Sequence, residues 1–285
     1  MTVRSMTGFG AARRDTDALR IVIEARSVNG RFLKTNLKMP TVLNPWEGHI
    51  EQRIKQRVGR GTVSVSVSLQ RTSPEAVVNV NADVVQAYQA VFRRLGVPET
   101  PLATLPGVIG GPEQAVRDDE WQTVAEALDS ALDAMVAMRE REGQDLSSAL
   151  TGLCEQISQH KATIAQRAPD VVREYQHKLH ERLTRLLQET DVTLDAQQLA
   201  REVAIFADRC DITEELERLE AHIGRTRELL AGGGQIGRTL EFLAQEMHRE
   251  ANTMGSKSAD AALAHAVVAL KAEIERFKEQ VANIE

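Results

Sequence analysis

Aromatic residues make up only 4% of the 285-residue chain: two tryptophans, two tyrosines and six phenylalanines. So few rings imply an aliphatic core, and they count against an extended aromatic platform that stacks successive bases of a single-stranded nucleic acid. Cysteine is scarcer still. Cys154 and Cys210 stand 56 positions apart with no CxxC spacing, which fits a reduced, cytoplasmic protein better than a disulfide or zinc framework. Long apolar runs are missing too. The opening Met-Thr-Val-Arg-Ser-Met-Thr-Gly-Phe-Gly holds no apolar signal core, and no stretch reaches the roughly 18 apolar residues of a membrane span. With 42% hydrophobic and 27% charged residues, the chain has the composition of a globular protein with one large or two medium domains.

The charge is distributed unevenly. Residues 1–73 carry 13 Lys and Arg against 5 Asp and Glu, a balance of +8, whereas the remainder carries −14. A basic module joined to an acidic one suggests that the first attracts polyanions, or that the two halves attract each other.

Pattern divides the chain at a similar place. Leu19, Ile21, Ile23 and Ala25 alternate with polar or outward residues, and Thr62 to Leu69 alternates valines with serines, so both predict half-buried strands. Between them Asn44-Pro45 predicts a helix start, with Trp46, Ile50, Ile54 and Val58 as its apolar stripe. Gly59-Arg60-Gly61 ends that helix. A helix is predicted over 81–95, followed by a Gly- and Pro-containing loop over 96–119 that resembles a hinge or flap. Beyond it, helices are predicted over 120–141, 144–168, 171–188 and 195–230, with Gly232-Gly233-Gly234 as a flexible link. In the last helix Leu263, Val267, Leu270, Ile274, Phe277, Val281 and Ile284 recur at coiled-coil-like spacing, fit for packing within the chain or between copies. The fold class is α+β: a basic sheet-plus-helix domain over 1–120 and a helical domain over 121–285.

The densest chemistry lies in two helical runs, Ala207–His222 and Leu243–Lys257. On a continuous helix Asp208, Asp211, Glu215 and His222 fall within about 60° of one another. Glu246 and Glu250 share a face of the second run and can complete a divalent-cation site. Oxygen donors suit Mg²⁺ or Mn²⁺, and one imidazole tilts the choice towards Mn²⁺. Ordinary structural roles compete: Asp211 with Glu214 fits a capping box, and Glu214 with Arg218 fits an exposed helix pair. Arg209, Arg218 and Arg249 lie close enough to clamp phosphate oxygens or to neutralise the carboxylates. Lys257, after Gly255-Ser256, reads as the start of a helix whose N–H groups favour an anion.

These segments resemble the YicC/YloC family of bacterial stress-associated endoribonucleases. The resemblance rests on Arg4-Ser5-Met6-Thr7-Gly8-Phe9-Gly10, Arg26 to Leu33, Arg60-Gly61-Thr62-Val63, Ala207 to Leu219, His222, Gly237 to Leu243, Gln245 to Thr253, Ser256-Lys257 and Gln280 to Glu285. It runs from residue 4 to 285 and is weakest over 74–135. Thr62 stands where Lys or a similar residue is common, and His248 stands where Asn is usual. The resemblance implies a metal-dependent endoribonuclease, favouring manganese or magnesium, that assembles as a homohexamer around RNA.

Residue roles follow from chemistry rather than from the resemblance. Catalysis is expected of Glu215, His222, Arg209 and Glu246. Metal binding is expected of Asp208, Asp211, Glu215, His222, Glu246 and Glu250. RNA binding is expected of Arg4, Arg26, Asn29, Arg31, Arg60, Arg218, Arg249 and Lys257. A metal would polarise the phosphate and activate water, whereas His222 as a general acid or base would permit cleavage through the 2′-hydroxyl. Two rival readings are a non-catalytic adaptor presenting RNA to another nuclease and an oligomeric scaffold.

Overall fold

A computed structural model describes residues 2–72, 80–96, 104–109, 116–187 and 196–285. Contacts divide the chain into two compact units, Met6–Arg139 and Met1–Ser5 with Glu140–Glu285.

The first unit is built on four strands: β1 (Gly8–Asp15), β2 (Leu19–Val28), β3 (Lys34–Lys38) and β4 (Thr62–Arg71), in the order β1-β2-β4-β3. β2 pairs antiparallel with both β1 and β4, while β3 and β4 run parallel. A parallel pair needs a crossover. It is supplied by a 3₁₀ turn (Thr41–Trp46) and α1 (Glu47–Arg57). Asn44-Pro45 therefore lies in the 3₁₀ turn, and the α-helix starts later than the dipeptide suggests.

The two-residue period sends Ile21, Ile23, Ala25, Val63, Val65 and Val67 to one face of the sheet, where Ile50 and Ile54 of α1 join the same core. The first part of α3 (Asp118–Leu187) adds Val124, Leu128, Leu132 and Met135. Gly8 and Gly10 of β1 permit this packing, because a Cβ at Gly10 would run into the backbone of Ala131 and Met135. Trp46 and Trp121 stack with ring centres 4.6 Å apart and planes within 6° of parallel. At the start of α3 the buried Glu120 accepts from Arg71 (2.8 and 3.1 Å) and from the Arg117 N–H. α2 (Ala82–Leu95) begins at Asn81, whose side chain accepts from Val84 N, as the pattern predicts. The expected hinge over 96–119 lies largely outside the described residues.

The three helices predicted over 120–188 are one helix, α3. Gly143 does not end it: Val3 O lies where a Cβ would stand, so the glycine serves a close approach. Pro169 does not end it either. An internal proline costs about 3 kcal/mol, and buried Ile164 and Val171 on its two sides, at roughly 1.5–3 kcal/mol each, offset that.

The predicted helix over 195–230 is two helices, α4 (Ala196–Cys210) and α5 (Thr213–Gly232). α6 (Gly237–Lys257) and α7 (Ala261–Val281) complete the second unit. The apolar seam of α7 is buried in this chain's own core with Ile223, Leu240, Ala244, Met247 and Met254. It is therefore an internal packing face. Ser5 bridges to Ile284, and the backbone N–H groups of Ile236 and Gly237 donate to Glu285 O at 3.1 and 3.0 Å.

Candidate metal centre

The site lies where α5 meets α6. Leu219 and Ile223 bury one stripe of α5, and Leu243, Met247 and Met254 bury the corresponding stripe of α6. Glu215, Arg218 and His222, spaced three and four residues apart, share one side of α5; Glu246, Glu250 and Lys257 recur along α6. Packing the apolar stripes brings these polar rows together.

His222, Glu246 and Glu250 each offer a ligand atom, and the three atoms lie within 4.8 Å of one another. Two ligand atoms about 2.1 Å from one divalent ion lie between about 3.0 Å (cis) and about 4.2 Å (trans) apart, so small side-chain rotations bring the three within reach of a single ion. Glu250 is 3% exposed, so its carboxylate is held in a largely dry wall. Two carboxylates and an imidazole make a mixed O/N set suited to Mn²⁺.

The neighbouring carboxylate is differently engaged. Glu215, buried, accepts from Lys257 Nζ at 2.8 Å, while its other oxygen, Oε2, has no hydrogen-bond partner among the described residues. Arg218 pairs with Glu214 on its own helix and reaches Glu250 at 3.8 Å across the interface. Arg249 reaches Glu246 at 3.6 Å and stays exposed. The expected ligands thus divide. His222, Glu246 and Glu250 converge, whereas Glu215 forms an ion pair beside them.

Asp208 and Asp211 fall outside the convergent set because the helix they were read on is broken. Asp208 and Arg209 are exposed near the end of α4. Asp211 Oδ1 accepts from Thr213 N (2.9 Å) and Thr213 Oγ1 (2.7 Å), an Asx turn that opens α5. Those two hydrogen bonds hold the Asp211 carboxyl below the usual carboxylate range. Lys257 does not stand at a helix start. Gly255 continues α6, which ends with Lys257, where a cation complements the carbonyl end of the helix.

The arginines expected to meet phosphate are scattered. Arg4 is half-buried and donates twice to Glu140, at 3.1 and 2.6 Å. Arg60 Nε donates to Gly30 O at 3.1 Å and holds the turn that contains Asn29, while Arg31 lies over the Phe32 ring at 5.5 Å. Arg26 is on the open face of the sheet, over the Phe9 ring at 5.7 Å. The pairing of Glu215 with Lys257 escapes a reading of sequence, because it joins residues 42 positions apart on different helices.

Comparison with known proteins finds similarity along nearly the whole chain. The model of the family described as "Endoribonuclease YicC-like, N-terminal region" matches residues 3–148, and "Endoribonuclease YicC-like, C-terminal" matches 164–285. The chain belongs to the YicC-like family. A relative in Clostridioides difficile named "Probable endoribonuclease YicC" is 31% identical over 292 residues, covering 99% of each chain. One of the same name in Haemophilus influenzae is 32% identical over 291 residues, covering 99% of this chain and all of that one. All six convergent or flanking residues, Glu215, Arg218, His222, Glu246, Glu250 and Lys257, lie in the span matched by the C-terminal YicC-like model.

Proposed function

We propose that the protein is a metal-dependent endoribonuclease that hydrolyses phosphodiester bonds of RNA, with His222, Glu246 and Glu250 as its metal ligands. The observation that carries the reading is the convergence of these three side chains from two helices beside a buried Glu215–Lys257 pair. Membership of a family whose curated relatives carry the name endoribonuclease supports the substrate class. Mn²⁺ or Mg²⁺ bound there would supply Lewis-acid stabilisation of phosphate charge and a more acidic water.

The chain's own residues have distinct parts in this scheme. Glu250, in its dry wall, provides fixed negative charge. Arg218, between Glu214 and Glu250, can exchange a carboxylate partner for a phosphate oxygen, and Arg249 offers a second exposed guanidinium. Lys257 neutralises Glu215 and holds it away from the ligand set. The protein's assembly as a homohexamer and its cytoplasmic location belong to the same reading. The free thiols of Cys154 and Cys210 support the location, and no described helix is long and apolar enough to cross a membrane.

The test is RNA cleavage by purified protein with Mn²⁺ and with EDTA, together with Mn²⁺ titration followed by electron paramagnetic resonance. Glu250→Gln keeps side-chain volume and removes one ligand charge. It is expected to weaken Mn²⁺ binding by at least about 10-fold, the low end of the loss seen even for outer-shell partners, to lower cleavage in parallel and to leave RNA binding intact. Full cleavage in EDTA, or unchanged Mn²⁺ affinity in the variant, would refute the metal assignment.

A second reading, an RNA-binding adaptor without its own cleavage, is favoured by the ion pairs Glu215–Lys257 and Arg218–Glu250, which join α5 to α6 and give these carboxylates a structural task. It predicts RNA binding without cleavage in any divalent ion.

A further inference from the structure

The sheet of the first unit has one face in the core and one in solvent. Strand register lines up the solvent face in rows. Phe9 of β1 stands opposite Arg26 of β2, Arg26 opposite Ser64 of β4, and Ser64 opposite Asn36 of β3. In the next row Glu24 stands opposite Ser66, and Ser66 opposite Lys38. Together these side chains line a surface cavity of about 430 Å³. Every strand contributes, so the recess is held by backbone ladders rather than by a loop.

Its chemistry is specific. Short serines in the middle keep the floor low between taller side chains. Arg26 and Lys38 stand on either side, and Lys34 lies on β3 one row beyond Asn36, on the side away from Lys38. Glu24 is the one acid lining the recess; the other outward acid, Asp15, is occupied by Arg13 and Arg20 at the far end of the sheet. The Phe9 ring is 40% exposed, and the Arg26 guanidinium lies over it, 5.7 Å from its centre. A planar cation layered on a ring makes a surface on which a base can stack. Asn36 offers paired donor and acceptor to a base edge, and Glu24 can accept from an exocyclic amino group.

We propose that this open sheet face binds a short single-stranded segment of RNA, with one base stacked on the Phe9–Arg26 pair and backbone phosphates held by Arg26 and Lys38. The inference rests on RNA being the substrate, and it assigns the strand-reading surface to the sheet unit, outside the His222–Glu246–Glu250 centre. Charge complementarity selects the occupant. The recess sets two cations against one carboxylate, a balance matched to a polyanion. Phe9 supplies the one ring of the recess, and charged, amide and hydroxyl side chains make up six of its nine lining residues, which favours a strand of RNA over an apolar protein surface.

The experiment measures fluorescence anisotropy of a labelled 12-nucleotide oligouridylate and of a duplex RNA of equal length, in EDTA, over a range of salt. Phe9→Ala is expected to weaken oligouridylate binding about ten-fold at unchanged salt slope, with Phe9→Trp restoring it and duplex binding unmoved. Arg26→Ala and Lys38→Ala should each flatten the log–log salt slope by about 0.7. All three side chains are exposed on the solvent face, so circular dichroism should match the wild type in each variant. Wild-type affinity and slope in Phe9→Ala combined with Arg26→Ala and Lys38→Ala would overturn the face assignment while leaving RNA as substrate. A wild type that binds neither RNA would overturn both. A change of oligomeric mass in the triple variant, seen by light scattering, would assign the face to a second copy of the chain and overturn the proposal.

Discussion

Asp260 shows how much one side chain can be asked to do in the helical unit. Its carboxylate caps α7 by accepting from Leu263 N at 3.0 Å and also receives Arg167 Nε at 3.2 Å. Arg167 in turn donates to Glu174 at 2.6 Å. The Arg167 guanidinium is the main cause holding both the Asp260 and Glu174 carboxyls below their ordinary range, with the Leu263 N–H reinforcing Asp260. A lowered folded-state value means the contribution to stability is present above the unfolded carboxylate value, about pH 4, and is lost as pH falls through the lower folded value. Asp260→Asn keeps a competent cap but loses the charge. Its melting temperature should fall below that of the wild type at neutral pH and converge with it in acid, read by thermal denaturation from pH 7 to 2. A constant offset at every pH would show that the charge contributes nothing. At this scale the sequence was partly legible. His222, Glu246 and Glu250 could be chosen for their chemistry. The partnership of Lys257 with Glu215 could not, since it depends on where a helix ends.

At the scale of elements, periodicity carried furthest where burial is one-sided. The alternating valines and serines of β4 appear as read, and Ile50 and Ile54 of the expected stripe are buried in α1 while Trp46 and Val58 flank it, because a half-buried element writes its orientation into its sequence. Breaks were harder. Gly143 and Pro169 look like helix ends and are interior to α3, whereas Asp211-Ile212 looks like mid-helix and separates α4 from α5. In each case tertiary contact or a side-chain turn overrules intrinsic preference. Gly237 carries a sharper consequence. A Cβ there would collide with Ile284 O, although alanine is the better helix former. Gly237→Ala should therefore destabilise the helical unit by about 1–3 kcal/mol, the usual range for overpacking, despite the gain in propensity. Chemical denaturation measures this directly, and a variant as stable as wild type would mean that the 282–285 segment yields freely.

For the whole molecule, the charge asymmetry maps onto architecture. Apart from Arg4, the basic residues of 1–73 lie in the sheet unit, and the acid-rich remainder includes the helices that carry the candidate metal centre. The seam of α7 was legible as an apolar stripe, but its partner was not, because spacing alone cannot say whose helices cover it. They are this chain's own. If the protein forms the homohexamer that its resemblance implies, the contacts must use other surfaces, and removing an α7 seam residue should cost stability rather than change mass. Light scattering of the wild type should give six times 31.5 kDa. Val267→Ala should keep that mass while lowering the melting temperature, since emptying a buried site costs roughly 1–3 kcal/mol. Dissociation of a still-folded Val267→Ala would place the seam at a subunit interface.

The stacked Trp46–Trp121 pair adds an optical consequence. Both tryptophans of the chain lie in the sheet unit, one before α1 and one at the start of α3, whereas the helical unit holds none. Intrinsic fluorescence excited at the indole band therefore watches one half of the protein, while the peptide ellipticity at the helical minimum is dominated by the other. Two superimposed melting curves would mean that the units unfold as one cooperative block, and two separated curves would order them in time and stability without any label.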